Sequence, residues 1–462
     1  MFKTVPILSR TIHDPQWNIP RRQFTLAVLI LAALFLLVGT NAWAVSAQEE
    51  DTAEILAAQS MADPGFTIAW RDNKAGTFDI AARGFNIDGS QRIPDFTVNP
   101  TTSGDQFKLD IGASASGGFV VVYEDDRDGN DFYDIYMRGF NSDGSQLFSD
   151  RKVNSDSSGQ QRDPAIAMAP DGSFVIVYED DRDGNGVNDI FMRGFNSDGS
   201  QRFSDRKVNS DSSGQQHQPA VAIDQNGDFV VAWQDDKDGN GYYEILMRGF
   251  NSNGSQRFSD RVANGESAGD QRLPAIAMAP NGEFAVAWVW FDEGVYARGF
   301  NPDGSERFAD VQVYDNPLGP GGLLIMFDVE LAMANDRAFA ITWTTENYLD
   351  VPAEYDSYVA GFNGDGTPRF SRLPVSPNKN GPQTHADVAM NSLGEFVVTW
   401  QDDSDENGVS QVRATGYSAD GQVRIPEFTV NSVAAGNQGF PVVAMGKNHL
   451  LFLPNMLRDI PL

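Results

Sequence analysis

Short apolar runs of strand length alternate with polar turns along most of the chain. In one clear stretch the runs cover residues 164–169, 173–178, 189–195 and 203–209, and two of the intervening turns read PDG and NSDG. Runs rich in β-branched and aromatic residues between such turns are typical of antiparallel strands. No part of this unit has the period of a helix. The pattern therefore predicts four short strands, named A to D in chain order.

The four-strand unit repeats along the chain. A Gly-Phe-Asn tag begins at positions 84, 139, 194, 249, 299 and 361, and a Gly-Tyr variant begins at 416. Successive tags lie 55, 55, 55, 50, 62 and 55 residues apart. Four short strands repeated at this period predict an all-β fold, a β-propeller whose blades bury their apolar faces against their neighbours. An open solenoid is the structural alternative.

Counting the repeats predicts seven blades. Strand B ends in an aromatic residue seven times, at Trp70, Tyr123, Tyr178, Trp233, Trp288, Trp343 and Trp400. An eighth A–B copy at 440–453 has lost this aromatic, and residues 54–61 match strand A poorly. We expect residues 441–445 to supply the innermost strand of the first blade and so close the ring. The predicted propeller covers 61–454, followed by a tail at 455–462, and eight blades remain the alternative count.

The N-terminus has the composition of an export signal. Arg21-Arg22 precede an apolar run at 24–38, and small residues follow up to position 47. This order predicts a signal over 1–47 and a linker over 48–60. Both the general secretory route and the twin-arginine route fit, and an uncleaved anchor is also open. We expect a secreted protein, extracellular or at the cell surface, or periplasmic if the cell has an outer membrane. If the signal is cleaved, the mature chain has no membrane span.

Charge narrows the set of partners. The chain has 34 basic and 64 acidic residues, a net charge of -30, and no cysteine. A surface this acidic repels nucleic acid and anionic lipid, which excludes both as partners. Disulfides and thiolate metal sites are also excluded.

An acidic loop between strands B and C recurs in four units. Aspartate, asparagine or glutamate occupies its positions 1, 3, 5 and 9, except that the seventh unit has Gln411 at position 9. Glycine at position 6, replaced by Asp131 in the second unit, permits a sharp bend. Calcium prefers six to eight oxygen ligands, so these side chains predict Ca²⁺ sites, although Asp-rich turns need no metal. The predicted metal ligands are Asp126, Asp128, Asn130, Asp134, Asp181, Asp183, Asn185, Asp189, Asp236, Asp238, Asn240, Glu244, Asp403, Asp405 and Asn407.

The nine-residue loop resembles the calcium loops of integrin-α-type FG-GAP propellers. The whole unit resembles repeats of large secreted bacterial calcium-binding surface proteins, through FVVAW at 229–233, RGFN at 248–251 and the strand at 203–209. The resemblance covers about residues 61–454. It implies that positions 1, 3, 5 and 9 donate side-chain oxygens and that position 7, Val187 in the third unit, donates its carbonyl.

Other candidate residues belong to the repeat or depart from it. Arginines at 83, 138, 193, 248 and 298 precede the tags, and we expect them to pair across the B–C hairpin with carboxylates such as Asp180 or Asp235. An anion-binding ring is the alternative. The segment 265–269 matches a serine-hydrolase elbow, but it lies in a loop between strands. Where the fifth and sixth units depart from the repeat, exposed aromatics are candidates for sugar binding, namely Trp290, Tyr314, Tyr348 and Tyr355.

These observations favour a secreted, calcium-binding propeller that acts as a non-catalytic binding or adhesion module. Its partner would be an extracellular glycan or a surface protein. The first alternative is an extracellular propeller hydrolase that acts on a glycan and uses paired carboxylates. The second alternative is a purely structural surface protein.

Overall fold

The computed structural model describes residues 65–73, 76–101, 104–127, 129–130, 132–156, 158–265, 269–291, 293–317, 324–347, 354–378 and 380–446. The predicted signal, the linker and the C-terminal tail lie outside these ranges, as does the segment 54–61. The described residues form seven four-stranded antiparallel sheets, the blades, and no helix. Within these ranges there is accordingly no helix of the length and apolarity needed to cross a membrane.

The first four blades contain the following strands, each blade given from its innermost strand outward. Blade 1 has β28 (Gln438–Met445), β1 (Phe66–Asp72), β2 (Asp79–Phe85) and β3 (Gln91–Thr97). Blade 2 has β4 (Gln106–Ala113), β5 (Phe119–Asp125), β6 (Asp134–Phe140) and β7 (Gln146–Lys152). Blade 3 has β8 (Gln161–Met168), β9 (Phe174–Asp180), β10 (Asp189–Phe195) and β11 (Gln201–Lys207). Blade 4 has β12 (Gln216–Ile223), β13 (Phe229–Asp235), β14 (Glu244–Phe250) and β15 (Gln256–Val262).

The remaining three blades follow the same order. Blade 5 has β16 (Gln271–Met278), β17 (Phe284–Trp290), β18 (Gly294–Phe300) and β19 (Glu306–Asp315). Blade 6 has β20 (Leu324–Met333), β21 (Phe339–Asn347), β22 (Glu354–Phe362) and β23 (Pro368–Pro374). Blade 7 has β24 (Gln383–Met390), β25 (Phe396–Asp402), β26 (Gln411–Tyr417) and β27 (Val423–Thr429).

The C-terminal strand closes the ring. β28 pairs antiparallel with β1, so that Met445 lies opposite Phe66 and Val443 lies opposite Ile68. Two distant parts of the chain thus share one sheet, and no innermost strand is missing from any of the seven blades. The prediction of a seven-bladed propeller closed by residues 441–445 is confirmed. The eight-bladed ring and the open solenoid are excluded.

The glycine of each tag is required by packing. A Cβ added at Gly194 would overlap the ring of Phe203 in the neighbouring strand β11, and the same clash recurs at the other six tags, with isoleucine in place of phenylalanine at two of them. The Phe203 ring stacks in turn on Phe229 of blade 4, with centroids 6.1 Å apart. The bare glycine therefore makes room for a ring that joins one blade to the next.

The aromatic residues of strand B form the core between blades. All seven are at most 1% exposed. Each hydrophobic cluster combines residues of adjacent blades, as where Val177 of blade 3 packs with Trp233 of blade 4. The stability of one blade therefore depends on its neighbours.

The arginines before the tags join the outermost strand to the preceding blade. The Nε atoms of Arg248 and Arg298 lie 2.5 and 2.6 Å from carboxylate oxygens of Asp260 and Asp310, which are on strand D of the same blade. Arg248 also donates a hydrogen bond of 2.5 Å to the backbone carbonyl of Val208 in blade 3. These residues are structural, and they do not form an anion-binding ring.

The partners expected for these arginines were wrong. Asp180 accepts a hydrogen bond of 3.0 Å from Arg182, and Asp235 accepts one of 3.0 Å from the indole of Trp233. Both carboxylates lie at the end of strand B, whereas the tag arginines lie farther along strand C, where strand D is the nearer neighbour.

Removing β28 tests the closure. A chain that ends before Gln438 leaves β1 as an exposed edge at the channel, and we expect it to lose its cooperative thermal unfolding transition. A chain that ends after Pro454 retains β28 and serves as the control. Differential scanning calorimetry distinguishes the two, and an unchanged transition in the shorter chain would show that β28 does not hold the ring closed.

Candidate functional site in the central channel

The seven innermost strands surround one channel, which opens on the face that carries the B–C and D–A loops. Two positions of each strand point to this opening. The mouth positions are Lys108, Asp163, Gln218, Leu273, Asp328, His385 and Phe440. Two residues farther along each strand, the wall positions are Asp110, Ala165, Ala220, Ala275, Glu330, Asp387 and Val442. Residues from both sets line a cavity of about 340 Å³.

The backbone at the mouth positions has unusual φ angles. Six of the seven mouth residues have a positive φ of 47 to 58°, and Lys108 alone does not. Such angles are unfavourable for residues with a side chain and persist only where surrounding contacts enforce them. At four of them a side chain of the preceding blade accepts the backbone N–H, as where Glu124 bonds to Asp163 and Glu179 to Gln218, both at 2.7 Å.

Three wall positions carry carboxylates, and four carry alanine or valine. The acidic residues are Asp110 in blade 2, Glu330 in blade 6 and Asp387 in blade 7. Around the ring these blades lie on either side of blade 1, so the carboxylates occupy one sector of the channel. Below them the channel wall becomes apolar, with Ile166 and Val221 among its residues. The carboxylates therefore form a polar layer between the mouth and an apolar layer.

The two aspartates of this layer are fixed by the backbone. Asp110 accepts the N–H of Ile111 at 2.7 Å and that of Ile166, in blade 3, at 2.8 Å. Asp387 makes the same pair of contacts, at 2.6 Å each, with Val388 and with Val443 of blade 1. Each aspartate thus joins its own innermost strand to that of the next blade.

Glu330 differs from the two aspartates. Among the described residues its carboxylate has neither a hydrogen bond nor an ion pair, and the residue is exposed to the channel. The ring nevertheless encloses it on all sides. It is the carboxylate of this layer that is free to move toward a bound molecule.

Enclosure and mutual repulsion raise the pKa values of these carboxyls. Burial raises the pKa of Asp110 and that of Asp387 to about 7, although the backbone N–H groups act in the opposite direction. Burial, followed by the charges of Asp387, Asp110 and Asp328, raises the pKa of Glu330 well above its usual range. Near neutral pH this layer holds protonated and ionised carboxyls side by side.

An ion pair and a histidine–aspartate contact lie next to the layer at the mouth. Lys108 Nζ lies 3.3 Å from Asp163 Oδ1, and His385 Nε2 lies 3.9 Å from Asp328 Oδ2. Burial raises the pKa of Glu124, behind Asp163, to about 8. Perturbed titratable groups in a concave site are typical of binding and catalytic centres.

None of the three channel carboxylates was among the residues predicted from the sequence. The residue before the wall position is proline in the four blades without an acid, at Pro164, Pro219, Pro274 and Pro441. It is Leu109, Val329 and Ala386 in the three blades with one. The loss of this proline together with the gain of an acid is visible when the seven copies of strand A are aligned, and it leaves no trace in the long loops.

The predicted calcium loops have a defined internal structure. In blade 3, Asp181 accepts the N–H of Gly186 at 3.2 Å, and Asp183 accepts the side-chain amide of Asn185 at 2.8 Å. The position-9 carboxylate of Asp189 instead accepts hydrogen bonds from strand D and the loop after it. The loop therefore joins positions 3 and 5, fixes position 1 on the backbone of position 6, and directs position 9 toward strand D.

The other loops follow this arrangement where they are described. Asp236 accepts the N–H of Gly241 and Asp403 that of Gly408, each at 3.2 Å, and Asp126 accepts that of Asn130 at 3.1 Å. Asp238 and Asp405 each accept a side-chain amide bond from the position-5 asparagine. Asp134 pairs with Lys152 and Glu244 with Lys237, and Asp128 lies outside the described residues. In the described ranges no group of three or more His, Cys, Asp or Glu side chains is placed to hold a metal ion.

The three described aromatics among those proposed for sugar binding pack on different neighbours. Trp290 packs on Tyr296 with ring centroids 5.4 Å apart, and Tyr314 packs on Trp343 of blade 6 at 5.5 Å. Tyr355 packs on Phe327, which adjoins the mouth residue Asp328, and its hydroxyl donates to Glu346. Tyr348 lies outside the described residues.

Comparisons with known proteins find the fold in solved structures only. Neither a protein-family profile nor a curated protein matches the chain. An ulvan lyase from a new polysaccharide lyase family is 12% identical, with 68% of this chain and 81% of that chain covered and a TM-score of 0.46. An α-L-arabinofuranosidase from Fusarium graminearum is 10% identical, with 68% and 93% covered and a TM-score of 0.45. The corresponding values for a Trypanosoma rangeli sialidase are 10%, 72%, 56% and 0.43.

These findings correct the leading function expected from the sequence, a non-catalytic binding or adhesion module. The three structures named above are a polysaccharide lyase, an arabinofuranosidase and a sialidase, and a prolyl oligopeptidase matches as well. The resemblance to FG-GAP calcium loops is confirmed by none of the matches. At 10–12% identity the likeness shows the fold alone, so the reaction has to be argued from the residues of the channel.

The raised pKa values predict that stability falls as pH rises from 5 to 8. In this range the native protein retains protons on Asp110, Glu330 and Asp387 that the unfolded chain, with carboxyl pKa values near 4, has released, so the free energy of unfolding decreases with pH. The Glu330→Gln variant should show a shallower decrease, measured as the melting temperature against pH. Turn aspartates such as Asp143, whose pKa is lowered by hydrogen bonds from Ser145, titrate below this range. A melting temperature that rises from pH 5 to pH 8 would contradict the prediction.

Proposed function

We propose that this protein is a secreted enzyme that hydrolyses glycosidic bonds at the mouth of its central channel. The observation that carries the proposal is the set of three carboxylates, Asp110, Glu330 and Asp387, at wall positions that are alanine or valine in the other four blades. Glycoside hydrolysis requires one carboxyl that donates a proton and a second that is ionised. Closely placed carboxyls with raised pKa values supply both forms near neutral pH.

The contacts of each carboxylate suggest its part in the reaction. Glu330 has no fixed hydrogen bond among the described residues and a strongly raised pKa, which suits the acid that protonates the leaving oxygen. Asp387 is held by two backbone N–H groups that stabilise its ionised form, and its charge is the one that raises the pKa of Glu330 most. Asp387 is therefore the ionised partner, which attacks the sugar or activates water, and Asp110 raises the proton affinity of both.

Aromatic rings near the mouth suit a sugar ligand. Phe440 is a mouth residue, and Phe107 and Phe327 each precede one in sequence. All three are partly buried, and all lie in the sector of blades 6, 7, 1 and 2 that holds the carboxylates. Sugar rings pack their apolar faces on such side chains while their hydroxyls bond to nearby carboxylates. The carboxylates of the wall and the aromatic rings of the mouth thus lie on the same side of the channel.

Replacing Glu330 tests the proposal. The wild type should release reducing ends from at least one member of a panel of neutral and acidic polysaccharides, and Glu330→Gln should lower kcat by about 100-fold or more because the proton donor is lost. Glu306→Gln, on the outermost strand of blade 5, is the control and should retain full activity. A Glu330→Gln variant that folds and cleaves like the wild type would rule out this site.

We further propose that calcium stabilises the B–C loops of blades 3 and 4. Support comes from the oxygen-bearing side chains at positions 1, 3 and 5, a donor type that hard cations prefer, whereas the position-9 side chains would have to leave their lysine partners to join them. The bound ion would neutralise the repulsion between neighbouring carboxylates.

Thermal unfolding with calcium and with a chelator tests this second proposal. We expect the melting temperature to rise with calcium, and the rise to be largely lost in the double variant Asp183→Asn, Asp238→Asn. A charge-matched control, Asp143→Asn with Asp198→Asn, alters turns between strands C and D instead and should keep the calcium response. Equal melting temperatures of the wild type in calcium and chelator would refute it.

A further inference from the structure

Arg71 stands out among the residues around the mouth. It follows the strand-B aromatic Trp70, at a position occupied by Glu124, Glu179, Gln234 and Gln401 in four other blades. Those four side chains accept the backbone N–H of the mouth residue in the next blade, at 2.7 to 3.3 Å. An arginine side chain has no acceptor and cannot replace them.

The mouth residue of the next blade also departs from the others. The mouth residue after Arg71 is Lys108, which is the one mouth residue of the seven without a positive φ. Its side chain is 55% exposed and reaches the cavity that Glu330 also lines. Blade 1 thus has a cation where four blades have an acceptor, and blade 2 has a second cation at the mouth.

The guanidinium of Arg71 lies among three aromatic rings. Its Cζ atom is 4.2 Å from the centroid of Phe78, 4.7 Å from that of Phe107 and 4.7 Å from that of Phe440. The residue is only 8% exposed, and among the described residues its side chain has no hydrogen bond or ion pair. A buried cation without an anionic partner is costly, and contact with aromatic faces offsets only part of that cost.

Nearby carboxylates are engaged elsewhere. Asp105 accepts the backbone N–H of Phe78 at 2.9 Å, and Glu124 accepts that of Asp163 at 2.7 Å. Both act on Arg71 through space only, and burial is the larger influence, so that the pKa of Arg71 is lowered. The five N–H donors of the guanidinium form a planar fork that matches two oxygens of one anion.

We propose that Arg71, assisted by Lys108, binds an acidic group of the glycan, the carboxylate of a uronic acid or a sulfate ester. The inference rests on the proposed function, because it places the anionic sugar beside the bond that Glu330 and Asp387 would cleave. The negative charge of the whole chain does not oppose it, since charges beyond about 8 Å are screened at physiological ionic strength.

Binding measured by calorimetry separates the two sources of the anion. The probes are polygalacturonate for carboxylate, dextran sulfate for sulfate, and unmodified dextran as the neutral polymer. We expect at least one acidic polymer to bind ten or more times more tightly than dextran, and Arg71→Gln to remove that preference. Arg272→Gln, which also removes an arginine from over an aromatic ring but in blade 5, is the matched control and should keep it.

Two further variants keep the test decisive if Arg71→Gln fails to fold. Arg71→Lys retains the charge without the fork and should lose most of the preference, and Lys108→Gln, at an exposed side chain, should weaken acidic binding several-fold. Equal affinity for dextran and both acidic polymers, or wild-type binding by both variants, would overturn the inference. Acidic binding without cleavage would leave the inference standing and refute the proposed hydrolase. Cleavage of an acidic glycan at an unchanged rate in the Arg71→Gln variant would support the hydrolase and overturn the inference.

Discussion

The closed ring forces seven innermost strands to share one axis. Each of these strands has a partner on its outer side only, so the groups on its inner side must be satisfied across the channel or by water. Asp110 and Asp387 meet part of this requirement, since each accepts backbone N–H groups from its own strand and from the next blade. The channel wall is consequently both a structural seam and the place where polar side chains are brought together.

Most of the contacts that stabilise the fold lie outside the channel wall. Glycine tags admit rings that join the blades, the strand-B aromatics fill the spaces between sheets, and arginines such as Arg248 tie each outermost strand to the preceding blade. Because these contacts repeat around the ring, a few unfavourable groups can be tolerated at the axis. Glu330 beside Asp387, and Arg71 without an anionic partner among the described residues, are such groups, and both lie in the sector of blades 6, 7, 1 and 2.

The sequence predicts the scaffold far better than the site, for a physical reason. Features that repeat, such as the tag glycine at 194 or the aromatic at 233, reflect packing that every blade needs, and their spacing alone predicts the seven blades. The carboxylates of the wall occur once each, inside strands whose other residues look ordinary, so only an alignment of the seven copies separates Asp110 from Ala165. The partner of an arginine such as Arg248 depends on which strand lies beside it, and register of that kind is not visible in spacing alone.

The most direct test of this account is the position of a bound sugar. A crystal structure of the Glu330→Gln variant with an oligosaccharide that the wild type cleaves would show it. We expect a sugar at the mouth of the channel between blades 6 and 2, with its glycosidic oxygen beside residue 330. A sugar bound over blades 3 to 5, or on the face that carries the C–D turns, would contradict it.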